Sequence, residues 1–500
     1  METTAERMEV ELGPVSSVDR VNRFAVSLPI LLVMLALPVA TRAESPNVLF
    51  IAIDDLNTWV GCIKGHPNAK TPNIDRLAAR GVLFTNAHCQ APICGPSRAS
   101  VFSGLLPTTS GIYGQISDKQ LRQASEIMGK VTFLPDYFER HGYKTLACGK
   151  LFHNGDRAGF FDDWGGHASF GPKPEERFKY DPAWFPEKIG GTQTDWGVFP
   201  DRDDLMPDYK IAQYGVKRLQ EKHDKPFFLA VGFMRPHVPW YCPQKWFDMH
   251  PIEEVQLPPY LKTDFDDIPD MSRRVNELPA MPTTEWAIKN NEWKNIVQAY
   301  LACTTFVDAQ VGKVLDALDA SKYRDNTIVV LWSDHGYHVG EKNRFAKQAL
   351  WDRATRVPLV IATPKAKQGV CDASVGLIDL YPTLLDLCSL PANSMNEGKS
   401  LSPLVRDPGS KWDWPSITSH GQHNHAVQLS EGRYYEYEDG SKEYYSHRSD
   451  PNEWHNAMVG DDASKTEHLR VPAIKGMVPK RPAEPSKFNK YPINEYFLAK

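Results

Sequence analysis

Asp54 and Asp55 follow directly on the apolar run Asn47 to Ile53, and Asp334 with His335 follows Thr327 to Trp332 by way of Ser333. Clustered carboxylates supply the oxygen ligands that hard divalent cations such as calcium and magnesium take. One aspartate after a strand is commonly a turn or cap residue. A doublet on one strand end and an Asp-His pair on another points instead to a metal site. Cys94 lies in Cys94-Gly95-Pro96-Ser97-Arg98. A disulfide with Cys89, or a buried thiol, would not call for Pro96, Ser97 and Arg98 around it. His153 and His237 carry no assignment from position alone.

For these residues to meet, their strands must share a sheet. Asn47 to Ile53 is apolar throughout, the pattern of a central strand buried on both faces. Thr71-Pro72 reads as N-cap and first position of a helix that stops before Gly81. The alternation continues with a strand from Val82 to Thr85, a helix from Phe133 to His141 and a strand from Thr145 to Cys148. After these come a helix from Tyr209 to Glu221, a strand from Pro226 to Val231, and one long helical stretch from Glu285 to Leu318. Such alternation predicts a large, mostly parallel sheet with helices on both faces, and ligands in such sheets bind beyond the carboxyl ends of the strands. Beyond the Asp379-Leu380-Tyr381-Pro382 helix start, short aromatic strands Gly432 to Tyr437 and Lys442 to His447 flank Asp439-Gly440, a hairpin signal. The organisation expected is a signal peptide over 1–43, a catalytic domain over 44–409, and a small C-terminal antiparallel-sheet subdomain with a proline-bearing extended tail over 410–500.

The chain's 500 residues, 41% hydrophobic and 24% charged, exclude coiled coil, collagen and wholesale disorder. A formal net charge of -5 lacks the basic footprint of a nucleic-acid binder, so an anionic ligand needs a local site. Arg20 and Arg23 precede the apolar run Phe24 to Val39, and small residues follow through Ala43. That order predicts export to the periplasm or medium with cleavage of the leader, and no stable membrane insertion afterwards. Eight cysteines in a chain this long form no disulfide scaffold.

The segment Cys94-Gly95-Pro96-Ser97-Arg98-Ala99-Ser100-Val101-Phe102-Ser103-Gly104 resembles the sulfatase signature C-x-P-S-R, in which the cysteine is oxidised to formylglycine. The opening PNVLFIAIDDLN, the block from Thr71 to Arg98, GKLFHNG (Gly149 to Gly155), FFLAVGFMRPHVPW (Phe227 to Trp240), the stretch Val330 to Asp352 and DLYPTLLDLCSLP (Asp379 to Pro391) are similar to sulfatases too. The Met234-Arg235-Pro236-His237 and Asp334-His335 forms most resemble iduronate-2-sulfatase and its bacterial relatives. The resemblance implies an alkaline-phosphatase-like fold and a calcium ion held by Asp54, Asp55, Asp334, His335 and the modified Cys94. It further implies that Arg98 hydrogen-bonds the modified side chain, and that Lys150, His153, His237 and Lys347 complete the active site. A maturation enzyme that makes formylglycine is implied as a partner.

The chemistry suits those roles. An aldehyde hydrate offers one hydroxyl to attack sulfur and a second whose deprotonation expels sulfate, whereas a thiolate would leave a stable adduct. Asp334 is the candidate to accept the attacking hydroxyl's proton, His153 to deprotonate the second hydroxyl, and His237 or Lys347 to protonate a sugar leaving group. Lys150 and Lys347 would bind sulfate oxygens as point charges. The implied substrate is a sulfated carbohydrate, a 2-O-sulfated uronic acid in particular. Phe160, Phe161, Trp164, Phe170, Tyr180, Trp184, Phe185 and Trp196 form an aromatic-rich insert that could face a sugar, though core packing is the commoner use. At Ala426-Val427-Gln428 the chain carries glutamine where such sulfatases often carry a basic residue, which argues against a sugar-carboxylate contact there. Two other readings compete: a phosphoester or phosphonate hydrolase of the same superfamily, and a non-catalytic exported glycan-binding protein.

Overall fold

The strand Asn47–Ile53 (β1) is buried at every position, because parallel neighbours flank it on both edges and helices cover both faces. The computed structural model describes residues 45–154, 159–167, 169–179, 194–276, 282–364, 367–459 and 476–490; the expected signal segment lies outside them. With β1, the strands Val82–His88 (β2), Lys144–Gly149 (β3), Asp163–Trp164 (β4), Phe227–Phe233 (β6), Thr327–Ser333 (β8), Arg356–Ala362 (β9), Gly369–Cys371 (β10) and Val375–Gly376 (β11) make one nine-stranded sheet; Trp196–Val198 (β5) pairs separately with Trp240–Cys242 (β7). The order is β10-β2-β9-β8-β1-β6-β3-β4, with β11 beside β2. Only β9 among the described strands of this sheet runs antiparallel to its neighbours, as the mostly parallel reading anticipated.

Alternate residues of β1 feed two separate cores, as period-two side chains must. Val48, Phe50 and Ala52 pack with Val101 and Phe102 of the helix Cys94–Ser103 and with Leu384 of the helix Leu380–Leu387. Leu49, Ile51 and Ile53 pack on the other face with Val307, Val311 and Val314 of the helix Trp293–Asp319 and with Ile211 of the helix Pro207–Gln220.

Two expectations are corrected. The stretch read as one helix from Glu285 to Leu318 is two, Thr284–Lys289 and Trp293–Asp319. Asn291 takes a left-handed φ of 57°, which asparagine tolerates, and the Asn290 amide donates to Trp286 O at 2.8 Å, ending the first helix. Thr71 does not cap the helix Pro72–Ala78 with its side chain. Its hydroxyl accepts from Gly61 N at 2.8 Å, while the carboxylate of Asp308, on the long helix, accepts from Asn73 N and Ile74 N.

The strands Ser416–Ser419 (β12), His425–Gln428 (β13), Gly432–Glu436 (β14) and Lys442–Ser446 (β15) form the small antiparallel sheet. Gly440, at φ 83°, donates to Tyr437 O at 2.8 Å and closes the expected Asp-Gly hairpin. This sheet leans on the large one: Thr418 Oγ1 donates to Cys89 O at 2.5 Å and Ser419 N to Gln90 O at 2.9 Å. Gln428 is fully buried. Phe160 and Phe161 are core residues with Trp164 packed against their cluster, and Trp196 belongs to a separate core, while Tyr180, Trp184 and Phe185 lie outside the described residues. No helix among the described residues is long and apolar enough to cross a membrane.

Candidate active site

Adjacent strands β8, β1, β6 and β3 end at one edge of the sheet, so the residues that follow them converge. Asp54 and Asp55 extend β1; Asp334 and His335 extend β8; Lys150 follows β3, and His237 lies four residues beyond β6. Asp54 N donates to Phe233 O at 3.2 Å and Asp334 N to Ile53 O at 3.3 Å, which continues the ladder into the site. Asp55 then turns to a left-handed φ of 61°, a conformation aspartate tolerates, and its carbonyl accepts from Tyr300 OH at 2.8 Å.

Cys94 opens its helix directly in front of this edge, and the chemistry-bearing side chains surround its sulfur. His335 Nε2 is 3.2 Å away, Lys347 Nζ 3.1 Å, Asp54 Oδ1 3.5 Å and Lys150 Nζ 3.7 Å. Lys150 also meets Asp54 Oδ2, and Lys347 meets Asp55 Oδ1 at 2.7 Å. Arg98, one turn into the helix, is buried; its Nε donates to Asp334 Oδ2 at 2.8 Å and its NH1 to the carbonyls of Lys150 and Leu151. It therefore ties the ends of β8 and β3 to the helix that carries Cys94.

One atom in this cluster shows a deficit. Asp55 Oδ2 is buried with no hydrogen-bond partner among the described residues. The His237 Nε2 is 3.9 Å from it, beyond hydrogen-bond reach. Ligand atoms of Asp54, Asp55, Cys94 and His237, and of Asp54, Cys94, Asp334 and His335, lie within 4.8 Å of one another. A buried, unpaired carboxylate oxygen among three aspartates is the deficit that a hard divalent cation removes, so the donor set fits such an ion. His335 Nδ1 donates at 2.9 Å to the Gly336 carbonyl, which turns Nε2 toward the cluster.

Burial and the surrounding charges set the protonation states. Burial opposes ionisation of Asp54, but Lys150 first, with Arg98 and Lys347, overcomes it and holds its carboxyl well below the usual range. Asp55 is raised, by burial first and by the neighbouring carboxylates Asp54 and Asp334, against Lys347 and His335. The Cys94 thiol is pushed up to about 12 by burial and by Asp54. Lys150 and Lys347 are desolvated, yet Asp54 and Asp55 respectively keep both above the ordinary lysine value. Burial holds the imidazoles of His237 and His153 neutral, aided by Lys347 for the former and Lys150 for the latter; His153 falls to about 3.

Nine of the ten site residues expected from the sequence, Cys94 among them, gather in this cluster. Asp54, Lys150, His335 and Lys347 touch its sulfur, Asp55, Arg98 and Asp334 reach those residues, and His237 Nε2 lies 3.9 Å from Asp55 Oδ2. His153 stands further out, its backbone N–H on Asp118 Oδ1 at 3.0 Å and its Nδ1 on Asn154, linked to Lys150 by charge rather than contact. His237 is fixed by its Nδ1 on Val238 O at 2.6 Å, and its loop is held by buried Arg235, which donates to the carbonyls of Tyr241, His237 and Phe170.

Sequence reading missed the supports. Ser97 Oγ donates to Asp334 O at 2.5 Å, and Ser333 Oγ accepts from Leu56 N at 3.0 Å. Tyr300, in mid-helix, also accepts from Asn57 N at 2.9 Å. No local pattern marks a mid-helix tyrosine, whereas the place of Ser97 inside the Cys94 motif was a usable signal. Phe170, from the aromatic insert, stands with its ring 5.3 Å from that of His237.

Comparison with known proteins is consistent with this geometry. The sulfatase family's sequence model matches residues 46–390, and that of the N-sulphoglucosamine sulphohydrolase C-terminal region matches 340–471. The chain is 47% identical over 467 residues to a sulfatase of Formosa agariphila, covering 92% of this chain and 91% of that one. It is 31% identical over 402 residues to iduronate 2-sulfatase of Homo sapiens, covering 75% and 70%. Among solved structures, a 2-O GAG sulfatase superposes with a TM-score of 0.65 at 23% identity, covering 87% of this chain and 92% of that one. The phosphonate monoester hydrolase of Agrobacterium radiobacter superposes with 0.67 at 19%, covering 87% and 96%. These likenesses establish the alkaline-phosphatase-like fold.

Proposed function

We propose, on the premise that this chain belongs to the sulfatase family and is a sulfuric ester hydrolase, that it removes sulfate from a carbohydrate, specifically from a 2-O-sulfated uronic acid. The observation that carries the proposal is the ring of Asp54, Lys150, His335 and Lys347 around Cys94 Sγ. The narrower substrate rests on the likeness to iduronate 2-sulfatase. The fold alone does not separate sulfatases from phosphonate hydrolases, since both superpose equally well.

Cys94 is the position to be converted to formylglycine, whose hydrate supplies an attacking hydroxyl and a second hydroxyl for release of sulfate. Asp54, Asp55, Asp334 and His335 would hold a calcium ion, which when bound lowers the pKa of the attacking hydroxyl and offsets charge on sulfate oxygens. Lys150 and Lys347, on opposite carboxylates of the Asp54-Asp55 pair, present ammonium groups to an anion at position 94. Asp334 accepts a proton at its carboxylate, held in place by Arg98 Nε. Neutral His153 is the base for the second hydroxyl. His237 reaches the leaving oxygen with Nε2, the ring nitrogen that Val238 leaves free, and the anionic substrate raises its proton affinity against burial and Lys347. Lys347 is the alternative donor.

Arg20, Arg23 and the apolar run after them support export, which N-terminal sequencing of the secreted protein tests. Mass spectrometry across Cys94, on protein from its native producer, tests the mechanism. The expected result is the mass loss of thiol-to-aldehyde conversion, together with turnover of 2-O-sulfated uronic acid ahead of 6-O-sulfated glucosamine. Unmodified cysteine in an active preparation would overturn the formylglycine assignment. Turnover of the glucosamine ester alone would overturn the substrate.

A further inference from the structure

The helix that begins at Cys94 has no cap of its own. Its N-cap position is Ile93, whose side chain cannot accept a hydrogen bond, and Pro96 has no N–H, so the amides in need of partners at this end are few. One of them, Gly95 N, donates at 2.8 Å to Oε1 of Gln115, twenty residues further along the chain. The fit is close: a Cβ at position 95 would overlap the Gln115 amide oxygen.

Gln115 is itself clamped by the far end of the polypeptide. Lys490 N donates to Gln115 O at 2.6 Å in an antiparallel bridge. The preceding residues run along the same loop: Ala483 N to Thr108 O at 2.6 Å, Ser486 N to Gly111 O at 2.8 Å, and Asn489 Nδ2 to Gly111 O at 3.0 Å. Tyr113 OH returns a bond to Ala483 O at 2.9 Å. A strap from Ala483 to Lys490 therefore holds the Thr108–Gln115 loop, and the loop holds the first turn of the helix.

We propose that Gln115 is a positioning residue for the nucleophile: its amide oxygen caps the helix beginning at Cys94, and the C-terminal strap keeps that oxygen in place. This rests on Cys94 as the nucleophile's position in the proposed function. The side chain at 94 must point between Lys150, Lys347 and His335, and a first turn free to fray would let it swing from that position; displacements near 1 Å are enough to slow catalysis markedly.

The test is a comparison of Gln115→Leu, which removes the acceptor, with Gln115→Glu, which keeps an oxygen at the same reach. With an aryl sulfate as substrate, Gln115→Leu should lower kcat about tenfold with KM changed less than about twofold, and Gln115→Glu should stay within about threefold of wild type. Amide exchange read by mass spectrometry over the 94–103 helix should quicken in Gln115→Leu and not in Gln115→Glu. Equal losses in the two variants, an unchanged kcat in Gln115→Leu, or unchanged exchange would overturn the proposal. If Gln115→Leu does not fold, Gln115→Asn, one methylene too short to reach Gly95, is read against Gln115→Glu in the same way. A wild-type protein that turns over no sulfate ester sinks the sulfatase reading and this inference with it; wild-type turnover beside an unaffected Gln115→Leu sinks this inference alone.

Discussion

Cys94 is surrounded by groups that chemistry needs and packing does not. Four buried polar side chains within 3.7 Å of one sulfur would be costly to keep for structure alone. Cys94→Ala should therefore leave a folded protein, with a thermal midpoint within a few degrees of wild type, and no measurable sulfatase activity; residual turnover would show that another group attacks. His237→Ala should slow sugar sulfates at least about tenfold more than activated aryl sulfates, because only the poor leaving group needs a proton. Paired assays on the two substrate classes decide this, and equal losses remove His237 from the acid role. The aspartates were readable from sequence because the residue type and the strand-end position agree. The hydroxyl that donates to Asp55 O and accepts from Asn57 N was not, because Tyr300 sits more than 240 residues away on a helix that looks like core.

At the scale of elements, β3 and β6 approach closely where they deliver Lys150. Gly149 takes a left-handed φ of 90°, and Lys150 N donates to Gly232 O at 2.7 Å. A Cβ on Gly232 would collide with the Lys150 backbone. Gly232→Ala should thus displace Lys150 and lower kcat/KM about a hundredfold, with loss of stability of about 1–3 kcal/mol from overpacking; kinetics and a denaturant titration would measure both. The small sheet joins the large one through buried charge: Arg433 Nε is 3.0 Å from Asp352 Oδ1 and its NH1 3.2 Å from Glu453 Oε1. Arg433→Met should cost about 3–5 kcal/mol, since Asp352 and Glu453, both buried, each lose a cationic neighbour. An unfolding midpoint unchanged from wild type would refute that. The hydrophobic runs located β1, β2, β3, β6 and β8, but the apolar run of β9 was passed over. They could not show the break at Asn291 or the capping of Pro72–Ala78 by Asp308, since both depend on a neighbour that a local pattern does not contain.

For the molecule as a whole, the donor set predicts that a divalent cation and the fold support each other. Chelation with EGTA should abolish activity and lower the thermal midpoint, and added calcium should restore both; at a hundred times the dissociation constant a ligand bound only to the native state contributes about 2.7 kcal/mol. Restoration by a transition metal and not by calcium would favour the phosphoester-hydrolase alternative.

Several things were decided by sequence alone: the strand runs, their carboxylate ends, the Cys94 motif, and from these the sheet class and the family resemblance. Each is a local property, in which a few consecutive residues carry both the periodicity and the chemistry. The tertiary structure decided which ends are neighbours. The order β8-β1-β6-β3 sets Asp334, Asp54, His237 and Lys150 along one edge, and a strap of residues near 490 reaches back to the loop that caps the Cys94 helix. Contacts between residues hundreds of positions apart arise only when the chain closes on itself, because a hydrogen bond such as Gly95 to Gln115 has no period and leaves no mark in the order of the residues.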